Sequence, residues 1–343
     1  MIKKNPSRSR IILIVGSLIV LVCCLALGAF WLVNRAINTA ASEVASQNTI
    51  NVRSLAWSPD GSQLAVGSAD HTITIWEVKS GKLLLTITEH VNSIRELAWS
   101  PDGKILAAGD QGGAIYLWNP LTGKLIDQVA KENELDALGF LDWSPDGYFL
   151  AYTGDRNYIN GWNVDRREKT VFAQSQSGIT GISWSPDDTH LANSSTDGKV
   201  TIWDRQTGKS IWIIDAHTGW TNDVDWALDG SLLASGGDDG ELKIWDPKTG
   251  KLVGQSTGTI RVFGVAFSPA VVSQIAWGSG AGEVTITEAD VPDKRLKAGS
   301  GQVWVVAWSQ DGKQLAAGTE GNTVFVWDAA TGQQIQLLTL PSH

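Results

Sequence analysis

The sequence predicts an all-β fold, a seven-bladed β-propeller of four-stranded antiparallel blades preceded by one N-terminal transmembrane helix. Three observations carry that expectation. Seventeen tryptophans stand among 343 residues, and twelve of them fall on one repeating pattern. Between them lie short runs of alternating apolar and polar residues, punctuated by Pro, Asp and Gly turn signals. Near the start, Ile11 to Val33 is an uncharged run of 23 residues.

That run is long enough, at about 1.5 Å per residue, to cross a hydrocarbon core of roughly 30 Å. Lys3, Lys4, Arg8 and Arg10 precede it, and only Arg35 follows closely. The positive-inside rule then places residues 1–10 in the cytoplasm as a basic tail and the chain after residue 34 outside. Trp31 suits an interfacial anchor. The rival reading is a cleaved signal peptide, with Ala40, Ala41 and Ala45 serving a peptidase. Its apolar region would normally span about 7–15 residues, which favours the uncleaved anchor. A lipoprotein signal fits poorly because Cys23 follows Val22 and not a small residue. Residues 34–50 are rich in Ala, Ser, Thr and Asn and read as a stalk, leaving 51–343 as the propeller. The expectation is a single-pass membrane protein with a cytoplasmic N-terminus and an extracytoplasmic body.

Composition narrows the function. The chain is 43% apolar and 18% charged, which excludes wholesale disorder. Its net charge is −9, and the part after residue 50 carries 22 basic against 35 acidic residues. An acidic body lacks the basic stripe that nucleic acid demands, and it would be repelled by anionic lipid headgroups. The two cysteines, Cys23 and Cys24, are adjacent, so neither a disulfide framework nor a cysteine zinc site can be built from them.

Trp57, Trp99, Trp143, Trp184, Trp226, Phe267 and Trp308 recur at intervals of 42, 44, 41, 42, 41 and 41 residues. A second member follows each 19 residues later: Trp76, Trp118, Trp162, Trp203, Trp245, Ile286 and Trp327. Length variation falls only outside this spacing. In the first copy, Asn51–Trp57 reads as a strand ending at the Ser58-Pro59-Asp60-Gly61 turn. Gln63–Gly67 is small and apolar, as a strand between two sheets must be. Thr72–Glu77 alternates at period two, and Ser80-Gly81-Lys82 turns the chain into Leu83–Thr88. Such units cannot bury both faces alone but can do so by stacking radially. Blade 7 already holds four strands of its own, and Thr39–Gln47 makes a poor outer strand. The ring is therefore expected to close without a borrowed N-terminal strand, its seam resting on packing alone.

The pattern W-S-P-D-G, L-A-x-G, I-x-I-W-D, T-G-K resembles the WD-repeat family, here in a bacterial membrane-anchored form, over residues 51–343. Ile202-Trp203-Asp204 and Ile244-Trp245-Asp246 carry its ending, and Val326-Trp327-Asp328 is a close variant. Glu77, Asn119 and Asn163 replace the Asp in blades 1 to 3. Blade 6 departs most, with Ala270 in its turn and Ile286-Thr287 in place of Trp-Asp, and is expected to be weaker. The resemblance implies a structural His–Ser/Thr–Asp–Trp network, complete only in blade 5: His217, Ser235, Asp239 and Trp245. Blade 1 keeps Asp70 and Trp76, blade 2 His90 and Trp118, and blade 4 Asp197 and Trp203. His217 and Asp239 could pass for a catalytic pair, but the network is the better reading.

No cofactor, metal or catalytic residue is expected. The five histidines fall apart in the repeat, Asp238-Asp239-Gly240 lacks further calcium ligands, and no nucleophile elbow or phosphate loop occurs. Asn193-Ser194-Ser195 matches a glycosylation pattern inside an expected buried strand.

The resemblance also implies that partners engage residues six and four before each anchor, at one mouth of the channel. Those positions hold Trp220, Phe263 and Trp304 in consecutive blades, with Arg53, Arg95 and Arg261 around them. Tryptophan and arginine are enriched in binding hot spots, and basic residues on one rim favour an acidic protein or peptide. A plug of the channel mouth is the competing reading for Phe263 and Trp304. The function expected is a membrane-anchored protein-interaction scaffold. The alternatives are an extracytoplasmic enzyme or carbohydrate-binding propeller with a loop-built site, and an accessory module working through its membrane segment.

Overall fold

The computed structural model describes residues 51–130, 139–154, 157–258 and 260–341. The basic tail, the membrane span and the stalk expected over 1–50 lie outside these residues. Among the described residues no helix is long and apolar enough to cross a membrane.

Among the described residues twenty-eight strands, β1 to β28 in chain order, form seven four-stranded antiparallel sheets in which spatial order follows chain order. The innermost strands are β1 (Val52–Trp57), β5 (Ile94–Trp99), β9 (Leu141–Trp143), β13 (Ile179–Trp184), β17 (Thr221–Trp226), β21 (Val262–Phe267) and β25 (Val303–Trp308). Each touches the inner strand of the next blade, and β25 touches β1, so the ring closes. The chain is a seven-bladed β-propeller.

Seven apolar clusters form the core, one at each interface between neighbouring blades. Small residues in the second strands permit that approach. A Cβ on Gly67 would lie 2.5 Å from Ile94 of the next blade, and one on Gly318 would lie 2.3 Å from Val52. Ile94 and Val52 are fully buried in these sockets, each contributing roughly 1.5–3 kcal/mol. The Ser-Pro-Asp-Gly turn builds itself: Ser58 Oγ donates to Asp60 at 2.6 Å and accepts from Gln63 N at 2.9 Å. Gly61 supplies the left-handed φ of 69° that the turn needs.

The tryptophan period has a geometric cause. Five of the six anchor indoles donate to the carbonyl of the residue that precedes the anchor of the previous blade. Trp99 reaches Ala56 O (3.0 Å), Trp143 reaches Ala98 O (3.1 Å), Trp184 reaches Asp142 O (3.1 Å) and Trp308 reaches Ala266 O (3.0 Å). Trp226 finds no partner for its buried Nε1, and Phe267 has no donor to offer, so the belt is interrupted around blade 5.

Blade 7 takes its outer strand from β28 (Gln334–Thr339), and among the described residues no N-terminal strand joins it. The expectation of a seam held by packing alone needs correction. Trp57 donates to Ala307 O (3.0 Å), Gly321 N to Asn51 Oδ1 (3.0 Å) and Gln336 to Lys79 O (3.3 Å). Blade 6 keeps four strands despite losing Trp-Asp. In it, Trp277 from the second strand donates to Thr287 Oγ1 at 3.0 Å.

Candidate functional site

The inner strands of all seven blades surround a central cavity of about 760 Å³. Arg53, Arg95, Trp220, Arg261, Phe263 and Trp304 all line it. A β-bulge explains four of them. In six blades the register with the second strand shifts after the first residue of the inner strand. The unpaired residue so created is Arg53, Arg95, Thr180, Asn222, Phe263 or Trp304, and a bulge re-aims its side chain. Ala137, the blade 3 residue six before its anchor, lies outside the described residues.

At the mouth these side chains sort into two groups. Phe263 and Trp304 lie with ring centroids 4.5 Å apart, and the Arg53 guanidinium sits 4.4 Å over the Trp304 ring. Arg95 stacks 4.7 Å over Phe140. Among the described residues neither Arg53 nor Arg95 has an ion pair or a hydrogen bond, and Arg95 Nε is buried without a partner there. Burial lowers the pKa of both. Arg261, by contrast, is paired with Asp238 at 3.4 Å. Trp220 is 53% exposed at the rim.

Below the arginines lies a tier of carboxyl groups that the sequence reading missed. Glu96, Asp142, Asp223 and Asp225 line the same cavity. Inner strands leave one edge of N–H groups unpaired, and these side chains satisfy it across the blade boundary. Asp142 accepts from Trp184 N (2.8 Å), Asp223 from Val265 N (2.9 Å) and Asp225 from Phe267 N (2.7 Å). Ser54 accepts from Leu97 N at 2.8 Å and donates to Glu96 at 3.3 Å. Burial pushes the Glu96 carboxyl up to about 8, helped by the like charge of Asp223. Burial likewise raises Asp142 and Asp223 to about 7 and Asp225 to about 6. Their signal was an acid standing three residues or one residue before the anchor, where other blades hold Ser, Gly, Val, Ala or Phe.

The blade 5 residues meet far from this tier. His217 Nδ1 donates to Asp239 at 2.8 Å, Ser235 Oγ donates to His217 Nε2 at 2.8 Å, and Trp245 Nε1 donates to Ser235 Oγ at 2.9 Å. Asp239 is tied down further by Thr218 N, which donates to its Oδ2 at 3.0 Å, and by Glu241 N, which donates to its Oδ1 at 3.2 Å, as in a structural lock. Blades 1, 2 and 4 cap the second indole differently: Trp76 on Thr74, Trp118 on His90 and Trp203 on Asn193. Asn193 is fully buried, so its glycosylation pattern is inaccessible in the folded chain. Among the described residues no three His, Cys, Asp or Glu side chains gather to hold a metal.

The model of the WD domain, G-beta repeat, matches residues 43–77, 81–119, 166–204, 208–246 and 291–328, more than half of the chain. This chain belongs to the WD-repeat family. Blades 3 and 6 escape the family model yet fold as four-stranded sheets in register with the rest. The eukaryotic translation initiation factor 3 subunit I of Neosartorya fischeri is 26% identical over 51% of this chain and 44% of its own length. The APC/C activator protein CDC20 of Saccharomyces cerevisiae is 27% identical over 50% of this chain and 22% of its own. The matched segments thus span less than half the length of these curated relatives.

Proposed function

We propose that this WD-repeat propeller is a protein-interaction scaffold whose channel mouth receives an acidic segment of a protein or peptide partner. The observation that carries the reading is the pair Arg53 and Arg95. They occupy equivalent bulges on adjacent blades, lie over aromatic rings, and form no salt bridge among the described residues, the nearby carboxyls of Glu320, Glu96 and Asp223 acting on them only at longer range. A desolvated guanidinium without an acceptor is costly, and a carboxylate from a partner would supply one. Trp220 and the Phe263–Trp304 pair offer an aromatic ledge beside it. One relative is named a subunit of an initiation factor and the other an APC/C activator protein, which accords with a scaffold. Screening an array of acidic and neutral peptides tests the reading. Acidic peptides should bind the wild type and lose at least about tenfold with Arg53→Gln/Arg95→Gln, since each charged hydrogen bond contributes roughly 1.5–3 kcal/mol. Equal binding by the variant would sink it.

The reading includes a membrane anchor at Ile11–Val33, uncleaved and of bacterial type, with the propeller outside; the uncharged span and its basic flank support it. Protease added to intact spheroplasts should remove the propeller and leave a membrane stub. A protected propeller would overturn the topology, and a soluble product starting near Ala41 would overturn the anchor.

The raised carboxyls favour a second reading, a hydrolytic or carbohydrate-binding site in the channel. Turnover of a glycan or lactone library that disappears with Glu96→Gln would support it. The engagement of three of the four carboxyls by backbone N–H groups favours the scaffold.

A further inference from the structure

The channel holds two opposed layers of charge in one cavity. Arg53 from β1 and Arg95 from β5 stand at the mouth, while Glu96 (β5), Asp142 (β9), Asp223 and Asp225 (β17) stand below. Inner strands β13, β21 and β25 contribute no charged side chain to the lining. At the rim, Asp238 is tied to Arg261, and Glu320 acts on Arg53 from the side. Four carboxyls against two guanidiniums that form no salt bridge among the described residues is an unbalanced set in a poorly solvated space. Like charges so placed cannot all ionise together, so successive ionisations are spread over a broad pH range.

We propose that the carboxylate tier sets the sign of the channel, so that an anionic partner is held when the tier is protonated and released when it ionises. The inference rests on the reading of the mouth as an acidic-segment site and adds its regulation. Geometry supplies the coupling. Arg95 is adjacent to Glu96 in sequence and feels both Glu96 and Asp223, so each ionisation below it competes with an incoming carboxylate for the same guanidinium. Burial and mutual repulsion place these ionisations across the neutral range, where a partner's own carboxylates stay charged. Protonation of the tier leaves the two arginines dominant, and full ionisation leaves the cavity net negative.

The test uses the full chain and a fluorescein-labelled decaglutamate peptide. Binding should weaken at least tenfold between pH 6 and pH 8.5, and Glu96→Gln/Asp223→Asn should flatten that dependence. Should the double variant fail to fold, calorimetry of the wild type at pH 7.5 in buffers of different ionisation enthalpy decides. Peptide binding should take up about one proton or more. Tight binding with no proton uptake and no pH dependence would overturn the inference and leave the acidic-segment reading standing. A propeller that titrates near neutrality but binds no peptide at either pH would overturn both.

Discussion

The indole of Trp57 donates to the carbonyl of Ala307, 250 residues away in sequence, at 3.0 Å. It is the same hydrogen bond that Trp99 makes to Ala56 at 3.0 Å within the continuous part of the ring. The seam between blades 7 and 1 thus repeats the chemistry of four other interfaces. It differs in one respect: no chain connection holds its two sides together when that contact opens.

Trp57→Phe should therefore destabilise the propeller more than Trp99→Phe. Each removes one buried donor and leaves a carbonyl unpaired, costing about 1–3 kcal/mol. Only the first also frees the seam. Urea denaturation with hydrogen exchange in 52–57 and 303–308 checks this. Equal losses would mean that the seam is no weaker than its neighbours.

His217→Ala should cost about 1–3 kcal/mol by stranding Ser235 and Asp239. The same lock fixes a pH dependence. Burial lowers the folded pKa of His217 below its ordinary 6.5. Its stabilising effect is then complete above pH 6.5 and is lost as pH falls through the folded value, because the unfolded chain binds the proton better. Thermal melts between pH 8 and pH 5 should lose this component in the variant. A wild-type acid slope that the variant retains unchanged would refute the assignment.

Asp142 runs in the opposite direction. Its folded pKa is raised to about 7 from 3.8, so its contribution is complete below about pH 4 and is lost as pH rises through 7. Asp142→Asn keeps an acceptor for Trp184 N–H and cannot ionise. The variant should match the wild type only below about pH 4, and exceed it at pH 8.5 by up to about 4 kcal/mol. A variant less stable than the wild type at pH 8.5 would contradict the raised value.

Blade 5 should exchange its amides more slowly than blade 6, since its third strand ends in the His217–Ser235–Asp239–Trp245 lock. In blade 6 one Trp277–Thr287 bond stands in for it. Hydrogen exchange followed by mass spectrometry compares 242–246 with 284–288. Faster exchange in the first would reverse the ranking.

The blades were legible in the sequence because their spacing is itself a bonding geometry. The anchor tryptophans recur because five of the six indoles reach one carbonyl in the blade before them, Trp226 being the exception. The six rim residues were legible by offset from those anchors, although the bulge that turns Arg53 and Arg95 toward the channel leaves no mark on composition. The carboxyl tier was not legible by alternation. Glu96 and Asp223 follow the bulge, where the simple period of two breaks, and read as ordinary polar-face residues. The seam bonds escaped for another reason: Asn51 and Gln336 meet only once the ring has closed.

The central claim is that partners dock at the channel mouth, and crosslinking in cells tests it most directly. A photoreactive residue at position 220, on the exposed rim, should trap one discrete protein product, and Arg53→Gln/Arg95→Gln should abolish it. The same residue at position 84, on the outer strand of blade 1, should trap none. Equal products from both positions, or a product at 220 indifferent to the arginines, would contradict the account.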